Sequence, residues 1–322
     1  MTSEDYIQFL IATPRQATCM EAARVQPHFP GAPAHDTFAR LLTRQEPDPD
    51  ELWQEAHTQV RTGGLLVLDD SVLDKPYARQ IQTVHWQFSG KHAGVVKGIG
   101  LLTLLWTDGD RHVPCDWAVY DKPHDGLTKN DLFRRLLGRA HQRGMQPECV
   151  CFDSWYASLA NLKHIRSLGW QWQTRLKHNR AVRVDFGDRQ PISSVPIPPA
   201  GREVHLPGYG AIRVFRSVAP DGDVEYWATG ELGQDALGRQ RRSDYSWRIE
   251  EYHRGIKQFC GAERCQARRG RAQRNHIGLS IRAFLRLEAC CFARGLTWFQ
   301  AKWDIIRDAV RAYLAKPHFA LP

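Results

Sequence analysis

Three short stretches carry acidic residues where they could do chemistry. In "LLVLDDSV" (residues 65–72) four apolar residues read as a strand entering an interior, and Asp69 and Asp70 follow with no Lys or Arg until Lys75. In "CVCFDSW" a second apolar strand runs into Asp153. In "YSWRIEEYHRGIKQF" the residues Ile249, Tyr252, Ile256 and Phe259 recur at i, i+3, i+7 and i+10, the buried stripe of a helix. On that helix Glu250, Arg254 and Lys257 fall at i, i+4 and i+7 and share a neighbouring face. A carboxylate near a core is costly unless its charge is offset. Several together repel, so the cluster needs a cation, and oxygen-only donors suit Mg²⁺ or Mn²⁺. A pair of such ions can activate a nucleophilic oxygen and stabilise the leaving oxygen of a phosphodiester. Taken alone, Glu250 and Arg254 read as an ordinary surface salt bridge; the three segments together favour the metal cluster. Successive strand residues face opposite ways, so only one of Asp69 and Asp70 can join it.

The elements that must position these acids form a mixed pattern. "LLVLDD" is a first strand, "VVKGIGLLTLLWTDG" a long second, and "DRHVPCDWAVYDK" a third that turns back at Asp108-Gly109. The helix "TKNDLFRRLLGRAHQRG" places Leu132, Leu136 and Leu137 on one face and stops at Gly144. "CVCFD" is a short buried strand, "ASLANLKHIRSLGW" a helix ended by Gly169, and "WQWQTRLK" the next strand. Hairpin strands followed by alternating helix and strand predict an α/β fold. Residues 178–237 are rich in Val, Pro and Gly and predict a β-rich insertion; residues 238–322 read as helical. Residues 1–60 predict a helical N-terminal region, with helices in "TCMEAARV" and "AHDTFARLL" (Ala39, Leu41 and Leu42 inward) joined by a loop, "QPHFPGAP". That pair suits a helix-turn-helix that binds DNA, although the loop is long for one; a plain helical cap on residues 61–177 fits equally.

Composition sets the outer limits. The chain has 322 residues, 42% hydrophobic and 25% charged, which is a folded globular composition. No apolar run approaches the roughly 18 residues of a membrane span, and the start lacks a basic region before its apolar patch, so no secretion signal is expected. The eight cysteines form no C-x-x-C pair and read as reduced, small apolar residues. Net charge is +9, which favours an acidic partner such as nucleic acid. Arginines crowd residues 239–274, while "RQEPDPDELWQEA" near the start is acidic. The arginine run would bind a DNA backbone without reading sequence; its plainer reading is a solvated helix face.

"LLVLDDSVLDKP", "KGIGLLTLLWTDG", "CFDSWYASLANLK" and "WRIEEYHRGIKQ", in this order, resemble the DDE transposases of bacterial insertion sequences, in the branch with a β-rich insertion before the catalytic Glu. The tail "RCQARRGRAQRNHIGLSIRAFLRLE" is similar to that branch's C-terminal helices, so the likeness covers about residues 60–315. It implies a ribonuclease-H-like mixed sheet flanked by helices, and a triad of acids holding two Mg²⁺ (Mn²⁺ substituting). By motif the second acid is Asp153 and the third Glu250, with Lys257 the basic residue two turns on. The first is Asp69 or Asp70; the Asp-x-Ser/Thr pattern of members favours Asp69, with Ser71. One departure stands out. The family's Tyr and Arg before the Glu fall here on Ser243 and Ser246; Tyr245 and Arg248 lie out of register, while Trp247 fits a common variant.

The resemblance implies a transposase that binds the inverted repeats ending its element, cuts there, and joins the 3′-OH to target DNA. Partners are then double-stranded DNA and a second copy of the chain, at the nucleoid in the cytoplasm. The expected DNA contacts are Arg254, Lys257, Arg268, Arg269, Arg271 and Arg274. Trp170, Trp172 and Trp227 are either core residues or platforms for a flipped base. The rivals are a hydrolysis-only nuclease of the same fold and a DNA-binding protein without chemistry, either a helix-turn-helix regulator or an inactive transposase derivative.

Overall fold

The computed structural model describes residues 1–27, 31–44, 46–185, 187–219 and 222–317. Helices α1 (Ser3–Ala12), α2 (Cys19–Arg24), α3 (His35–Arg44) and α4 (Pro49–Ala56) precede strand β1 (Leu65–Asp74). Then come β2 (His85–Ser89), β3 (Gly94–Thr107), β4 (Val113–Tyr120), α5 (Lys122–Asp125), α6 (Lys129–Gln142), β5 (Cys149–Phe152), α7 (Leu159–Ser167) and β6 (Trp172–Leu176). Strands β7 (Ala181–Val182), β8 (Gln190–Pro191), β9 (Arg202–Leu206), β10 (Gly210–Val218) and β11 (Val224–Thr229) follow, and α8 (Ala236–Ser246), α9 (Arg248–Gln258), α10 (Gly270–Arg294) and α11 (Trp298–Ala315) close the chain. Two compact units result. A sheet unit holds Thr58–Asp70 and Leu102–Glu250; a helical unit holds Met1–His57, Ser71–Leu101 and Glu251–Pro322.

In the sheet unit β1, β5 and β6 run parallel, with Leu65 opposite Cys149, Leu68 opposite Phe152, and Phe152 opposite Thr174. Strand β3 flanks β1 and β4 pairs with β3. A parallel strand covered on both faces has no polar side, which is why Leu65–Leu68 and Cys149–Phe152 are apolar and buried throughout. Helices α6 and α8 pack on β4 and β5. A capping box between Thr128 and Asp131 starts α6, and Gly144, at φ +75°, lets the chain turn after it. Strand β11 joins β6 antiparallel, Thr229 opposite Gln173, and β10 and β9 follow outward. The β-rich segment therefore lengthens the main sheet. The fold is α/β, a ribonuclease-H-like mixed sheet flanked by helices.

In the helical unit α1, α3 and α4 pack against α10. Arg282 binds Glu51 and Glu55, Arg286 binds Glu4 and Glu55, and Arg271 binds Glu46. The acidic N-terminal stretch thus answers part of the basic tail. Helices α2 and α3 pack together across residues 25–34, a connection much longer than the roughly 3–4-residue turn of a helix-turn-helix. Residues 28–30 of the expected loop lie outside the described residues. No helix among the described residues is long and apolar enough to cross a membrane.

Several expectations change. Helix α1 and strand β2 were not foreseen, and the acidic stretch near the start forms α4. On α3 it is Phe38 that is buried with Leu41 and Leu42, while Ala39 faces solvent. The cysteines are all free, but they are not uniformly core residues: Cys290 is exposed and Cys19 half-buried.

Candidate active site

Asp153 follows Phe152 at the end of β5, whereas Asp69 lies midway along β1, which runs on to Asp74 instead of stopping at the acids as the sequence suggests; Leu68 pairs with Phe152. Extending that register by one residue sets the two acids level and on one face; Asp70 takes the other. Asp70 is already occupied. The Lys129 ammonium, at the start of α6, lies 2.6 Å from its carboxylate, and the Tyr156 hydroxyl donates to it at 2.5 Å. Tyr156 is itself stacked on Phe133. Burial raises the Tyr156 pKa, and the charge of Asp70 adds to this, so the phenol stays protonated as a donor.

The ionised form of Asp69 is disfavoured. Burial pushes its pKa well above the usual carboxylate range, and the charges of Asp70, Glu250 and Asp153 push the same way. Asp153 accepts from the backbone N–H of Ser154 at 2.6 Å and faces Arg175 at 3.3 Å. Glu250 is exposed, with no ion pair recorded among the described residues. Asp69 and Asp153 thus stand side by side where the β1–β5 pairing ends, with Glu250 near enough for its charge to act on Asp69, while Asp70 is tied to protein groups.

Glu250 lies in the first turn of α9, and that turn is held by the β3–β4 connection. Arg248 Nε donates to the Gly109 carbonyl at 2.8 Å. A Cβ at Gly109 would stand 2.6 Å from the Tyr245 ring, and its φ of +100° suits glycine. Buried Arg242 of α8 binds Glu148 at 2.9 Å and Glu231 at 2.8 Å. Tyr245 and Arg248, out of register with the family pattern, are thus engaged in seating α8 and α9. Ser246 caps back to the Ser243 carbonyl at 2.8 Å. Replacing Gly109 by Ala should cost about 1–3 kcal/mol of stability by overpacking and, by shifting Glu250, lower any activity of the site up to about 100-fold. Denaturant unfolding and turnover of the same preparation would check this; an unchanged protein would refute the seating role.

The basic candidates divide. Lys257 donates to the Val72 carbonyl at 2.9 Å and pairs with Glu263 at 3.3 Å, so protein groups hold it. Arg271 binds Glu46, and Arg274 is half-buried. Arg254, Arg268 and Arg269 are exposed. Trp170 and Trp172 are core residues; Trp227 is half-buried, with its N–H on Glu225 and the guanidinium groups of Arg175 and Arg239 about 5.7 and 5.6 Å from its ring. Sequence reasoning missed Lys129, Tyr156 and Arg175, the groups that face the acids. For Tyr156 a signal existed, its place three residues after Asp153.

The family model described as DDE superfamily endonuclease matches residues 2–251. The chain belongs to this family. No curated protein matches. Among solved structures, the fold is similar to that of piggyBac transposase in a cryo-EM synaptic complex with hairpin DNA, with a TM-score of 0.53 and 10% identity. That likeness covers 98% of this chain and 73% of the other. For this DDE endonuclease the donor set fits a divalent cation. Asp69, Asp153 and Glu250 offer only carboxylate oxygens, and the mutual repulsion recorded at Asp69 is what a bound cation would relieve.

Proposed function

We propose that the protein is a DNA transposase. It binds the terminal inverted repeats of the insertion sequence that encodes it, breaks phosphodiester bonds there, and joins the freed 3′-OH to target DNA. The observation that carries this reading is the level placement of Asp69 and Asp153 with the charge of Glu250 felt at Asp69, in a chain of the DDE endonuclease family. Asp69, Asp153 and Glu250 would hold two Mg²⁺, or Mn²⁺ in their place. Bound there, the metal would neutralise charge on the reacting phosphate and make an attacking hydroxyl more acidic.

The chain's own residues do the positioning. Lys129 and Tyr156 hold Asp70, and with it the middle of β1, so that Asp69 keeps its direction. Arg175 orients Asp153, and the Gly109 turn seats Glu250. Water and a DNA 3′-OH present the same kind of oxygen, so one site serves both cutting and joining. Exposed Arg254, Arg268 and Arg269 and the net charge of +9 support a phosphate backbone as partner. The structural neighbour was solved as a synaptic complex with hairpin DNA, which supports a DNA partner here; two copies of the chain would hold the two ends of the element. A protein acting on chromosomal insertion sequences would work at the nucleoid.

The test is nicking of a duplex that carries the element's end, in Mg²⁺ and in EDTA, by wild type and by Asp153→Ala and Glu250→Ala. Nicking in Mg²⁺ alone, reduced in both variants by more than the 10–100-fold typical of outer-shell changes, is expected. Cutting without joining would favour the hydrolytic nuclease. Binding without cutting would favour the regulator.

A further inference from the structure

Strand β2 and the part of β3 that pairs with it belong to the helical unit, and the hairpin they form turns its apolar face outward. The register sets Phe88 opposite Val95 and Trp86 opposite Lys97. Paired residues share a face, as do residues two apart on one strand. On this face Trp86 is 70% exposed, Phe88 65% and Val95 63%. The opposite face carries Gln87 and Ser89, both buried. A slip of one residue would turn the rings inward, but the inward direction is claimed by Gln87, whose amide donates to the Gly98 carbonyl at 3.0 Å. The base of the hairpin is fixed as well. A Cβ at Gly98 would stand 2.5 Å from the Val72 side chain and 2.7 Å from the Leu73 carbonyl, and the Lys75 N–H donates to the Lys97 carbonyl at 2.9 Å. Two aromatic rings and a valine are thus held side by side on the surface.

The surroundings say what fits this patch. Strand β2 ends the sheet: it pairs with β3 on one side, and among the described residues no strand pairs with the other. Proteins guard such edges with Lys, Pro, inward-pointing charges or a bulge. The strand "HWQFS" contains no Lys, Pro, Asp or Glu, and its register with β3 is unbroken. The hairpin's two lysines are spent on the protein itself. Lys91 lies 3.0 Å from the Asp74 carboxylate, which also takes His92 at 3.0 Å, and the Lys97 ammonium donates to the Ala78 carbonyl. The face therefore does not favour an anion such as a nucleic-acid backbone. Apolar side chains beside an open strand edge suit a second β-strand.

The sequence of β2 is complementary to itself. When two copies run antiparallel about a two-fold axis at Gln87, Trp86 of each stands opposite Phe88 of the other, and His85 opposite Ser89. We propose that β2 is a self-association edge, pairing with β2 of a second copy of this chain in that register. The two hairpins then form one four-stranded antiparallel ribbon with two Trp–Phe cross-strand pairs, and the interface is isologous. An aromatic side chain buries roughly 150–250 Å², so at the exposures above the four rings of two copies offer roughly 400–700 Å². The valines and the strand backbones carry this towards the roughly 1,000 Å² of a specific interface, at its small and transient end. The role of the pairing rests on the reading that two copies hold the two ends of the element: weak alone, it becomes effective once DNA brings the copies together.

Sedimentation of the full chain in EDTA without DNA, across the micromolar range, reads the association directly. Wild type should pass from monomer to dimer as concentration rises. Trp86→Ala and Phe88→Ala each remove one ring from both copies and should weaken the association by about 30-fold or more. Their unfolding midpoints should match that of monomeric wild type, because both rings are exposed. Cross-linking reads the register, in a Cys290→Ser background that removes the exposed thiol. Trp86→Cys mixed with Phe88→Cys should form an interchain disulfide under mild oxidation, since the two positions face each other and one Trp–Phe pair survives. Either variant alone should form far less, because like positions are then diagonal, about 7–8 Å apart. Alanine variants that associate like wild type would overturn the edge, as would equal cross-linking in the mixture and in the separate proteins. So would a wild type that stays monomeric across the range. A wild type that dimerises through β2 and binds no DNA would uphold the edge and sink the transposase reading, so the two failures are told apart.

Discussion

Replacing Asp69 by Asn should abolish metal-dependent cleavage, whereas Asp70→Asn should leave it measurable. The two residues are neighbours with the same side chain, so composition and net charge change identically and only geometry distinguishes them. Asp69 stands level with Asp153 and feels the charges of Glu250 and Asp153. On the proposed function its loss would remove a direct donor, and more than about 1,000-fold in rate should go with it, well beyond an outer-shell effect. Asp70 acts through Lys129 and Tyr156 and should cost the 10–100-fold of such a supporting residue.

Stability should move in opposite directions. In EDTA the ionised Asp69 is a liability, because burial and three like charges disfavour it; Asn relieves this and should raise the unfolding midpoint. Asp70→Asn strands an ammonium and a buried phenol and should cost about 1–3 kcal/mol. Saturating Mg²⁺ at 100 times its dissociation constant should stabilise wild type by about 2.7 kcal/mol and Asp69→Asn hardly at all. Calorimetry in EDTA and in Mg²⁺, alongside the nicking assay, reads all of this. An active Asp69→Asn would move the site to Asp70 and refute the register argument.

That register is the part of the site hidden from sequence. Apolar runs marked β1 and β5, and the glycines at 144 and 169 marked helix ends because both adopt positive φ. The parity of Asp69 against Asp70 depends on pairing with a strand far along the chain, which no local pattern carries. The same holds for α8, whose Arg242 is held by Glu148 and Glu231. Counting arginines between 239 and 274 could not tell those spent on internal acids from those facing solvent. Strand β2 was illegible for another reason. Its Trp86 and Phe88 point outward, so the usual inward-apolar alternation is reversed. Helix α1 was legible and overlooked: Thr2 and Asp5 form a capping box directly ahead of the apolar run.

The helical unit should lose stability steeply in mild acid, through two buried histidines. His253 is buried on α9, its Nε2 without a hydrogen-bond partner among the described residues; burial, then the charge of Lys257, pushes its pKa down to about 3. His276 on α10 lies 3.0 Å from the Tyr6 hydroxyl through Nδ1 and 3.0 Å from the Gly261 carbonyl through Nε2. A neutral ring fits both partners, since Nδ1 can accept from the phenol while the Nε2–H donates. Burial lowers its pKa to about 4. The unfolded chain binds a proton at each ring below the ordinary value near 6.5, while the folded chain refuses it until pH 3–4. Stability is therefore full above about pH 6.5 and falls as pH drops toward the folded values. At pH 5 each ring should cost roughly 2 kcal/mol, about 4 together, an order-of-magnitude figure from that linkage. Urea unfolding at pH 7 and pH 5 measures it, monitored on wild type and on the double variant His253→Leu, His276→Gln. The variant should start less stable, because Gln cannot reproduce both contacts of His276, yet lose much less between the two pH values. Equal losses in both proteins would show that other groups take up the protons and that these rings are not buried as described.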